Sequence, residues 1–425
     1  MGLSSSKEPE KKELTRGQKF ASARITKLEN GLSPRISPRT RNRNELWIED
    51  FPLRDAGAET IAEYLKKDYC KCESLYLKHN SIAAPGCAEM ASALMVNKTV
   101  RYYTLIENKM GETLPKGEAK DNVESGINTI AAAVFGSDSA KKLTDAIKKN
   151  VLQIVTLEEN CLGNEGAEAL APALQEQDSE PNKLVELTLR RNEIGDKGCI
   201  SLAKELALNK SLLKFDLQEN LIGDDGCVQL AVALQKNTTL KEVNLRANNL
   251  TWRACFELSK MLQVNQNLKE LNLRRNSLKD EGCVTLAQAF ESNSGGLKRL
   301  MLSSNLIGDE GTTKLAWALE KNTVLEEVYL EINDIQDKGC IRLAEALEKN
   351  NTLQKVNLKM NNFGGDGYNR LADAVNKNKT INTLELSNSL MSSKEPVRKI
   401  DEILKPRVKD VTGGPPLSPR TAAAI

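Results

Sequence analysis

From residue 46 to residue 393 the sequence returns to one pattern about every 28 residues, so the chain must stack copies of a small unit. The copies align as Leu187-Thr-Leu189-Arg-Arg-Asn192, Phe215-Asp-Leu217-Gln-Glu-Asn220, Val243-Asn-Leu245-Arg-Ala-Asn248 and Leu271-Asn-Leu273-Arg-Arg-Asn276. The asparagine recurs downstream at Asn305, Asn333 and Asn361, and upstream at Asn160, Asn108 and Asn80. At the degenerate ends Phe51 and Ser389 occupy its slot, giving about twelve units.

Each unit has a physical reading. Alternating apolar residues, as in Leu187-Thr-Leu189, have the period of a strand with its leucines inward. The asparagine can bond backbone groups left open as the chain turns away. Six residues later a glycine (Gly86, Gly166, Gly198, Gly226, Gly282, Gly311, Gly339, Gly367) marks the start of a helix. Leucines four apart, such as Leu202 with Leu206 and Leu230 with Leu234, form its buried face. A second asparagine, as at Asn209, Asn237, Asn322 and Asn350, closes most helices and suits the left-handed C-terminal position. One strand and one helix per unit stack into a parallel sheet beside a layer of helices. Strands space at about 4.8 Å and helices at roughly 8–10 Å, so the stack should bend with its strands inside.

The pattern Leu212-x-x-Phe215-x-Leu217-x-x-Asn220-x-Ile222-x-x-x-Gly226-x-x-x-Leu230-x-x-x-Leu234 resembles the ribonuclease-inhibitor-like class of leucine-rich repeats. That resemblance implies an α/β leucine-rich-repeat solenoid, a horseshoe with parallel strands on the concave face and helices on the convex face. It implies little about activity, because one fold hosts many functions.

Composition narrows the function classes. Sixty Lys and Arg face 58 Asp and Glu, so no global positive field exists to gather nucleic acid phosphates. The single histidine, His79, leaves no Ser–His or Cys–His pairing and no histidine-based metal site, and no catalytic residue, metal or cofactor is assigned. No Gly-x4-Gly-Lys-Ser/Thr phosphate loop is present. Six of the nine cysteines, Cys87, Cys199, Cys227, Cys255, Cys283 and Cys340, follow the glycine slot. They read as small buried hydrophobes repeated with the unit, not as a thiol ladder. Cys70 and Cys72 read the same way.

Two interruptions stand out. Between Asn108 and Asn160 the chain carries 24 extra residues, an insertion within about 111–148. Either Gly126, Ile130 and Val134 mark the usual helix, or Leu143 and Ile147 do and 112–138 form one loop. A smaller insertion surrounds Asp178 to Asn182, and Ala254 replaces the glycine beside Trp252.

Strand alternation names the side chains on the concave face. Two before each asparagine the row includes Lys78, Glu158, Arg190, Arg246, Arg274, Glu331 and Lys359; four before, it includes Tyr76 and Tyr329. Six before, Glu186, Glu242, Glu270 and Glu327 recur, broken by Lys214 and Arg299. A basic track (Arg190, Arg246, Arg274, with Arg191 and Arg275 adjacent) thus runs beside an acidic one. The rows either neutralise one another across strands or form a mixed-charge face for a protein partner, for which Arg and Tyr are good anchors.

The ends differ from the middle. Residues 1–45 read as a basic, disordered tail, 46–393 as the repeat domain, and 394–425 as a closing helix over 394–405 followed by a disordered tail. Met1-Gly2-Leu-Ser-Ser-Ser6-Lys7 fits an N-myristoylation signal at Gly2. Residues 14–44 hold eight basic residues against Glu29 alone, a net +7 that would supply the second signal a single acyl chain needs at an anionic membrane. Ser33 and Ser37 in that tail, and Ser418 near the other end, precede prolines and are candidate phosphorylation sites whose charge would oppose membrane contact. With no apolar run of roughly 20 residues and no hydrophobic leader, a cytoplasmic, peripherally membrane-associated protein is expected.

The sequence therefore points to a non-enzymatic scaffold that captures a protein on its concave face while tethered to the cytoplasmic face of a membrane. A regulator of a small GTPase, resembling the Ran GTPase-activating proteins, is the rival. It is opposed by the basic end Lys405-Pro-Arg-Val-Lys-Asp, where those proteins carry an acidic tail. A soluble inhibitor or adaptor without a tether is a third reading; a ribonuclease inhibitor proper is disfavoured by the neutral charge and the few cysteines.

Overall fold

Buried apolar residues at the strand period, and leucines four apart after them, build the same strand–helix unit throughout the computed structural model of the chain. The structure describes residues 14–29, 44–108, 138–149, 152–175, 182–292, 295–386 and 395–411. Twelve strands and thirteen α-helices lie among them. They fall into two compact units, Met1–Ala173 and Leu174–Ile425.

The first unit holds helix α1 (Arg16–Glu29), β1 (Glu45–Glu49), α2 (Arg54–Leu65), β2 (Ser74–Lys78) and α3 (Ala84–Leu94). Strand β3 (Tyr102–Ile106), α4 (Asp138–Lys148), β4 (Ile154–Glu158) and α5 (Gly163–Leu170) complete it. Its four strands are parallel, with Leu46, Leu75, Tyr103 and Val155 in register and all buried.

The second unit carries eight parallel strands: β5 (Glu186–Thr188), β6 (Lys214–Asp216), β7 (Glu242–Asn244), β8 (Glu270–Asn272), β9 (Arg299–Met301), β10 (Glu327–Tyr329), β11 (Lys355–Asn357) and β12 (Thr383–Glu385). The helices between them are α6 (Asp196–Leu206), α7 (Asp224–Lys236), α8 (Ala254–Val264), α9 (Lys279–Glu291), α10 (Asp309–Lys321), α11 (Asp337–Lys349) and α12 (Gly365–Lys377). Helix α13 (Glu395–Val411) follows β12. Leu187, Phe215, Val243, Leu271, Leu300, Val328, Val356 and Leu384 stand in register along the inner face of this sheet. Each such buried aliphatic side chain contributes about 1.5–3 kcal/mol by leaving water.

Three polar ladders join neighbouring units. In the first, the strand-end asparagine reaches back one repeat: Asn248 Nδ2 donates to Leu217 O at 3.0 Å and to Leu245 O at 3.1 Å. Its Oδ1 accepts the Ile222 N–H at 3.1 Å. Asn220, Asn276, Asn305, Asn333 and Asn361 repeat the backward bond. In the second ladder, Asn237 Nδ2 donates to Leu206 O and Asn209 O, and its Oδ1 accepts from Thr239 and Leu240. The expected left-handed conformation is absent there: Asn237 has φ −72° and ψ 129°, and Asn265, Asn322, Asn350 and Asn378 are likewise extended. Asparagine is needed for its amide, which satisfies the previous helix's open carbonyl, and not for backbone freedom.

The third ladder was not anticipated. An aspartate opening one helix caps the next: Asp196 Oδ1 accepts the N–H groups of Gly223 and Gly226, at 2.7 and 2.9 Å. Asp55, Asp280, Asp309 and Asp337 do the same for their downstream neighbours. This explains the repeated glycine. A Cβ on Gly226 would meet Asp196 Oδ1 at 2.7 Å and its Cα at 3.1 Å.

In the insertion, Leu143 and Ile147 are buried on α4 against α3 and α5. Thr144 Oγ1 also donates to Ala169 O at 2.7 Å. Residues 109–137, including Gly126, Ile130 and Val134, lie outside the described residues. So does most of the small insertion around Asp178.

Both ends correct the expectation. Residues 16–29, expected as disordered tail, form α1, whose Ala21, Ile25 and Leu28 are buried. Phe20 stacks on Phe51 with ring centres 3.7 Å apart. Phe51 replaces the ladder asparagine because its repeat has no upstream neighbour to reach, and α1 covers it instead. Counting charges hid the apolar stripe. At the other end the helix runs to Val411, past the expected limit at 405. Its Arg407 donates to Ile381 O and Val375 O, satisfying carbonyls that no further repeat can reach. Residues 1–13, 30–43 and 412–425, with Gly2, Ser33, Ser37 and Ser418, lie outside the described residues.

Removing the Asn248 amide orphans three buried backbone groups, so Asn248→Ala should cost about 3 kcal/mol in urea unfolding. Gly226→Ala should cost about 2 kcal/mol through its backbone clash. Gly365→Ala, where an added Cβ meets nothing within 4 Å, should be neutral within about 0.5 kcal/mol.

Candidate protein-binding face

The outward side chains of the second unit's strands form two tracks. In the lower, Glu186, Lys214, Glu242, Glu270, Arg299, Glu327 and Lys355 stand in register on successive strands. Lys214 pairs with Glu242 at 2.9 Å and Arg299 with Glu270 at 2.6 Å. Tyr329 donates to Glu327 at 2.6 Å, and burial together with that carboxylate pushes its phenol well above the ordinary range. Lys355 lies 5.1 Å above the Tyr329 ring and pairs with Glu385 at 2.8 Å. Strands β5 to β8 enclose a shallow hollow lined by Glu186, Lys214, Asp216, Glu242, Asn244 and Glu270. Neutralisation across strands, one of the two sequence readings, accounts for much of this track.

The upper track is basic. Arg190, Arg246 and Arg274 come two residues before their asparagines, as expected. The residue between each of them and its asparagine departs from simple alternation. Arg191, Glu219, Ala247, Arg275, Ser304, Ile332 and Met360 have φ of 53–56°. Such left-handed residues are costly unless glycine. The cost is offset by their N–H groups, which bond the next repeat, as Glu219 N does to Arg246 O at 2.8 Å. This kink brings a second charged row into the site, and Glu219 with it. Alternation alone turns Glu219 away, so the sequence reading missed it.

Glu219 organises one end. Its carboxylate takes Arg190 at 3.1 Å, Arg191, and the Gln218 amide at 2.6 Å. Asn244 in turn donates to Gln218 at 3.1 Å. Burial opposes ionisation of Glu219, but Arg191, Gln218 and Arg190 outweigh it and hold its carboxyl at about 2. At the other end Arg274 pairs with Glu331, which is buried beneath it. Glu331 is therefore an internal counter-ion. Lys359 pairs with Glu385 at 2.8 Å. Between these pinned groups, Arg246 and Arg275 have no carboxylate partner among the described residues.

The remaining candidates lie in the first unit. Tyr76 stacks on Trp47, with ring centres 3.6 Å apart, and Lys78 lies 3.6 Å from Glu49. Glu158 ends β4 with its side chain half-exposed. His79 contacts Asp50 at 2.8 Å and Glu107 through its two ring nitrogens. Cys87, Cys199, Cys227, Cys255, Cys283 and Cys340 are buried, and burial raises every one of these thiols, so they stay protonated and packed. Among the described residues no cluster of His, Cys, Asp and Glu could hold a metal ion. No described helix is long and apolar enough to cross a membrane.

Comparison with known proteins places these observations. A leucine-rich-repeat family matches residues 148–171, 180–203, 208–231, 264–287, 321–344 and 349–371. Ribonuclease inhibitor of Mus musculus is 28% identical over 193 residues, covering 44% of this chain and 42% of that protein. Ribonuclease inhibitor of Sus scrofa is 29% identical over 173 residues, covering 40% of this chain and 37% of that protein. The chain thus spans about two fifths of the length of these relatives. Among solved structures, an internalin from Listeria monocytogenes covers 90% of this chain and 92% of its own at 16% identity, with a TM-score of 0.46.

The Glu219 cluster predicts a pH dependence. Its folded carboxyl titrates at about 2 against an ordinary 4.5, so its stabilisation is complete above about 4.5 and fades as pH falls towards 2. Glu219→Gln should lower stability at pH 7 by at most about 1 kcal/mol, since the group is partly solvated. Denaturant melts from pH 7 to 2.5 should show the variant and the parent converging.

Proposed function

We propose that this chain, a leucine-rich-repeat protein of the ribonuclease-inhibitor-like class, is a non-enzymatic scaffold that holds a protein partner on the open face of its sheet. The observation that carries the reading is the arrangement of charge. A basic track and an acidic track run side by side on a face held rigid by three hydrogen-bond ladders, so a partner of complementary pattern meets a preorganised surface. Arg190, Arg246 and Arg274 are the anchors on the basic side, with Lys359 further along the same row; Tyr329 borders the acidic side; Tyr76, Lys78 and Glu158 are the candidates on the first unit's own sheet. Neither the acid–base chemistry nor the cofactor chemistry of an enzyme is needed for this role.

The same reading includes a tether. Acylation of Gly2 would supply one membrane signal, and the basic residues behind it the second. Helix α1 modifies the picture. Arg16 and Arg24 lie over Phe51 and Phe20, while Lys19 and Lys27 stay exposed on a helix packed against α2. The thirteen residues between Gly2 and α1 have a reach of at most about 45 Å, which limits how far α1 could stand from the bilayer. Phosphate on Ser33 and Ser37 would offset much of the positive charge and loosen the contact.

Photo-crosslinking groups at Asn244 and Asn272 on the sheet face, and at Gln229 and Lys236 on helix α7, test the scaffold. The sheet positions should capture the partner and the helix positions should not; capture from the helices alone would refute the reading. For the tether, coexpression with a myristoyl transferase should add one myristoyl group by intact mass. The acylated protein should then float with vesicles of phosphatidylcholine and phosphatidylserine. Gly2→Ala should abolish flotation, and Ser33→Glu with Ser37→Glu should weaken it about tenfold. An unmodified Gly2 would remove the tether.

A further inference from the structure

Arg246 stands out on the basic track because the groups around it are already committed. Its strand neighbour on one side offers Gln218, whose amide is spent on Glu219. On the other side Arg274 reaches across to Glu331. Glu219, the nearest carboxylate on that side, already serves two arginines. Arg246 Nε is buried and makes no hydrogen bond. Arg275, exposed on the adjoining kink, makes no side-chain ion pair among the described residues either. Burial, then the charges of Arg275 and Arg274, pull the guanidinium of Arg246 below its ordinary range.

Two like charges on neighbouring strands, one half-buried with an unmet donor, are unfavourable in the free protein. The geometry is costly alone and favourable with a ligand. A guanidinium presents its donors in a planar fork suited to an oxyanion, and its hydrogen bonds to ionised acceptors are the strong ones. The other cations of this row, Arg190, Arg274 and Lys359, each have a carboxylate partner, and Arg246 has none among the described residues. The lower track, four residues back along the same strands, is acidic at Glu242 and Glu270. It would repel an extended polyanion lying across both tracks, so the site suits a single anionic group entering from the upper edge.

We propose that Arg246 and Arg275, backed by Arg274, form a seat for one side-chain oxyanion of an acidic peptide segment in the partner. This deepens the scaffold reading and rests on it for the source of the peptide. A glutamate or aspartate carboxylate and a phosphate monoester share the required chemistry. The phosphate would gain more, because its second charge meets both unpaired arginines. Arg246 forms the half-buried floor and Arg275 the exposed wall.

The test uses fluorescein-labelled peptides of otherwise neutral composition, one bearing a single phosphoserine and one a Glu-Glu pair, with inorganic phosphate as competitor. Fluorescence anisotropy at two salt concentrations should show the full chain binding at least one peptide, phosphate competing, and higher salt weakening the complex. Arg246→Gln should weaken binding about tenfold or more, and Arg275→Gln about threefold. Lys338→Gln removes the same charge from the exposed surface of helix α11, away from the sheet face, and should change affinity less than twofold. Arg246→Met should lose binding yet raise the melting temperature by about 2 °C, because it removes a buried unmet donor. That combination is not expected of a merely structural residue.

Preference for the phosphoserine or the glutamate peptide identifies the source of the anion. Failure of both peptides to bind, even if inorganic phosphate does, would overturn the seat, as would equal weakening by Arg246→Gln and Lys338→Gln. If sheet-face crosslinks persist while Arg246→Gln leaves peptide binding intact, the seat is wrong and the scaffold face stands. If peptide binding depends on Arg246 while partner crosslinks come only from the helices, the seat stands and the scaffold face is wrong.

Discussion

The backward reach of the strand-end asparagine is the constraint on which the rest depends. At the end of each strand the chain turns through a left-handed residue, leaving carbonyls and N–H groups that no strand partner can meet. Asn248 meets three of them, one in its own repeat and two in the repeat before it. No other side chain both donates twice and accepts at that length. A missing rung leaves buried polar groups in both repeats, so each asparagine ties the conformation of one unit to that of the next. The register of the sheet follows, and with it the order of every outward side chain.

That coupling explains why the ends look as they do. A ladder that always reaches upstream leaves the first repeat with nothing to hold and the last with carbonyls nobody takes. Phe51 answers the first problem by giving up the amide for an aromatic surface that α1 covers. Arg407 answers the second by placing a charged multiple donor where the next asparagine would have come. The downstream aspartate ladder runs in the opposite sense, each Asp capping the helix after its own. Polar information therefore passes both ways along the stack.

Much of this was legible in sequence because periodicity reports any feature that every unit shares. The strand, the helix face, the two asparagine slots and the cysteine position all repeat, and all lie where the spacing put them. The aspartate cap was also written there, two residues before the glycine in Asp196-Lys-Gly198 and Asp224-Asp-Gly226. It escaped notice because an exposed-looking acidic residue reads as surface charge until its partner in the next repeat is known. Features present once were harder. Helix α1 has Phe20, Ala21, Ile25 and Leu28 on one side, but eight basic residues in its neighbourhood made the stretch read as a tail. Glu219 was hidden for a local reason: one left-handed residue breaks the alternation from which outward side chains are named.

The same left-handed row shows how a repeat scaffold acquires a site without altering its frame. The backbone at this position is the same from Arg191 to Met360; from Arg191 to Ile332 its N–H bonds the next repeat, and its side chain is released from packing duty. The row then varies freely: cationic at Arg191 and Arg275, anionic at Glu219, small at Ala247 and Ser304, apolar at Ile332. Because the frame is indifferent to these choices, an uncompensated charge can persist at Arg275 with only an electrostatic cost. The neighbouring row is less free, since Arg246 is half-buried and its Nε goes unmet. Stability arguments favour replacing such an arginine with an apolar side chain of similar size. A half-buried cation left unpaired beside the paired Arg190 and Arg274 is thus accounted for, on the proposed reading, by what it meets on binding and not by anything it does within the fold.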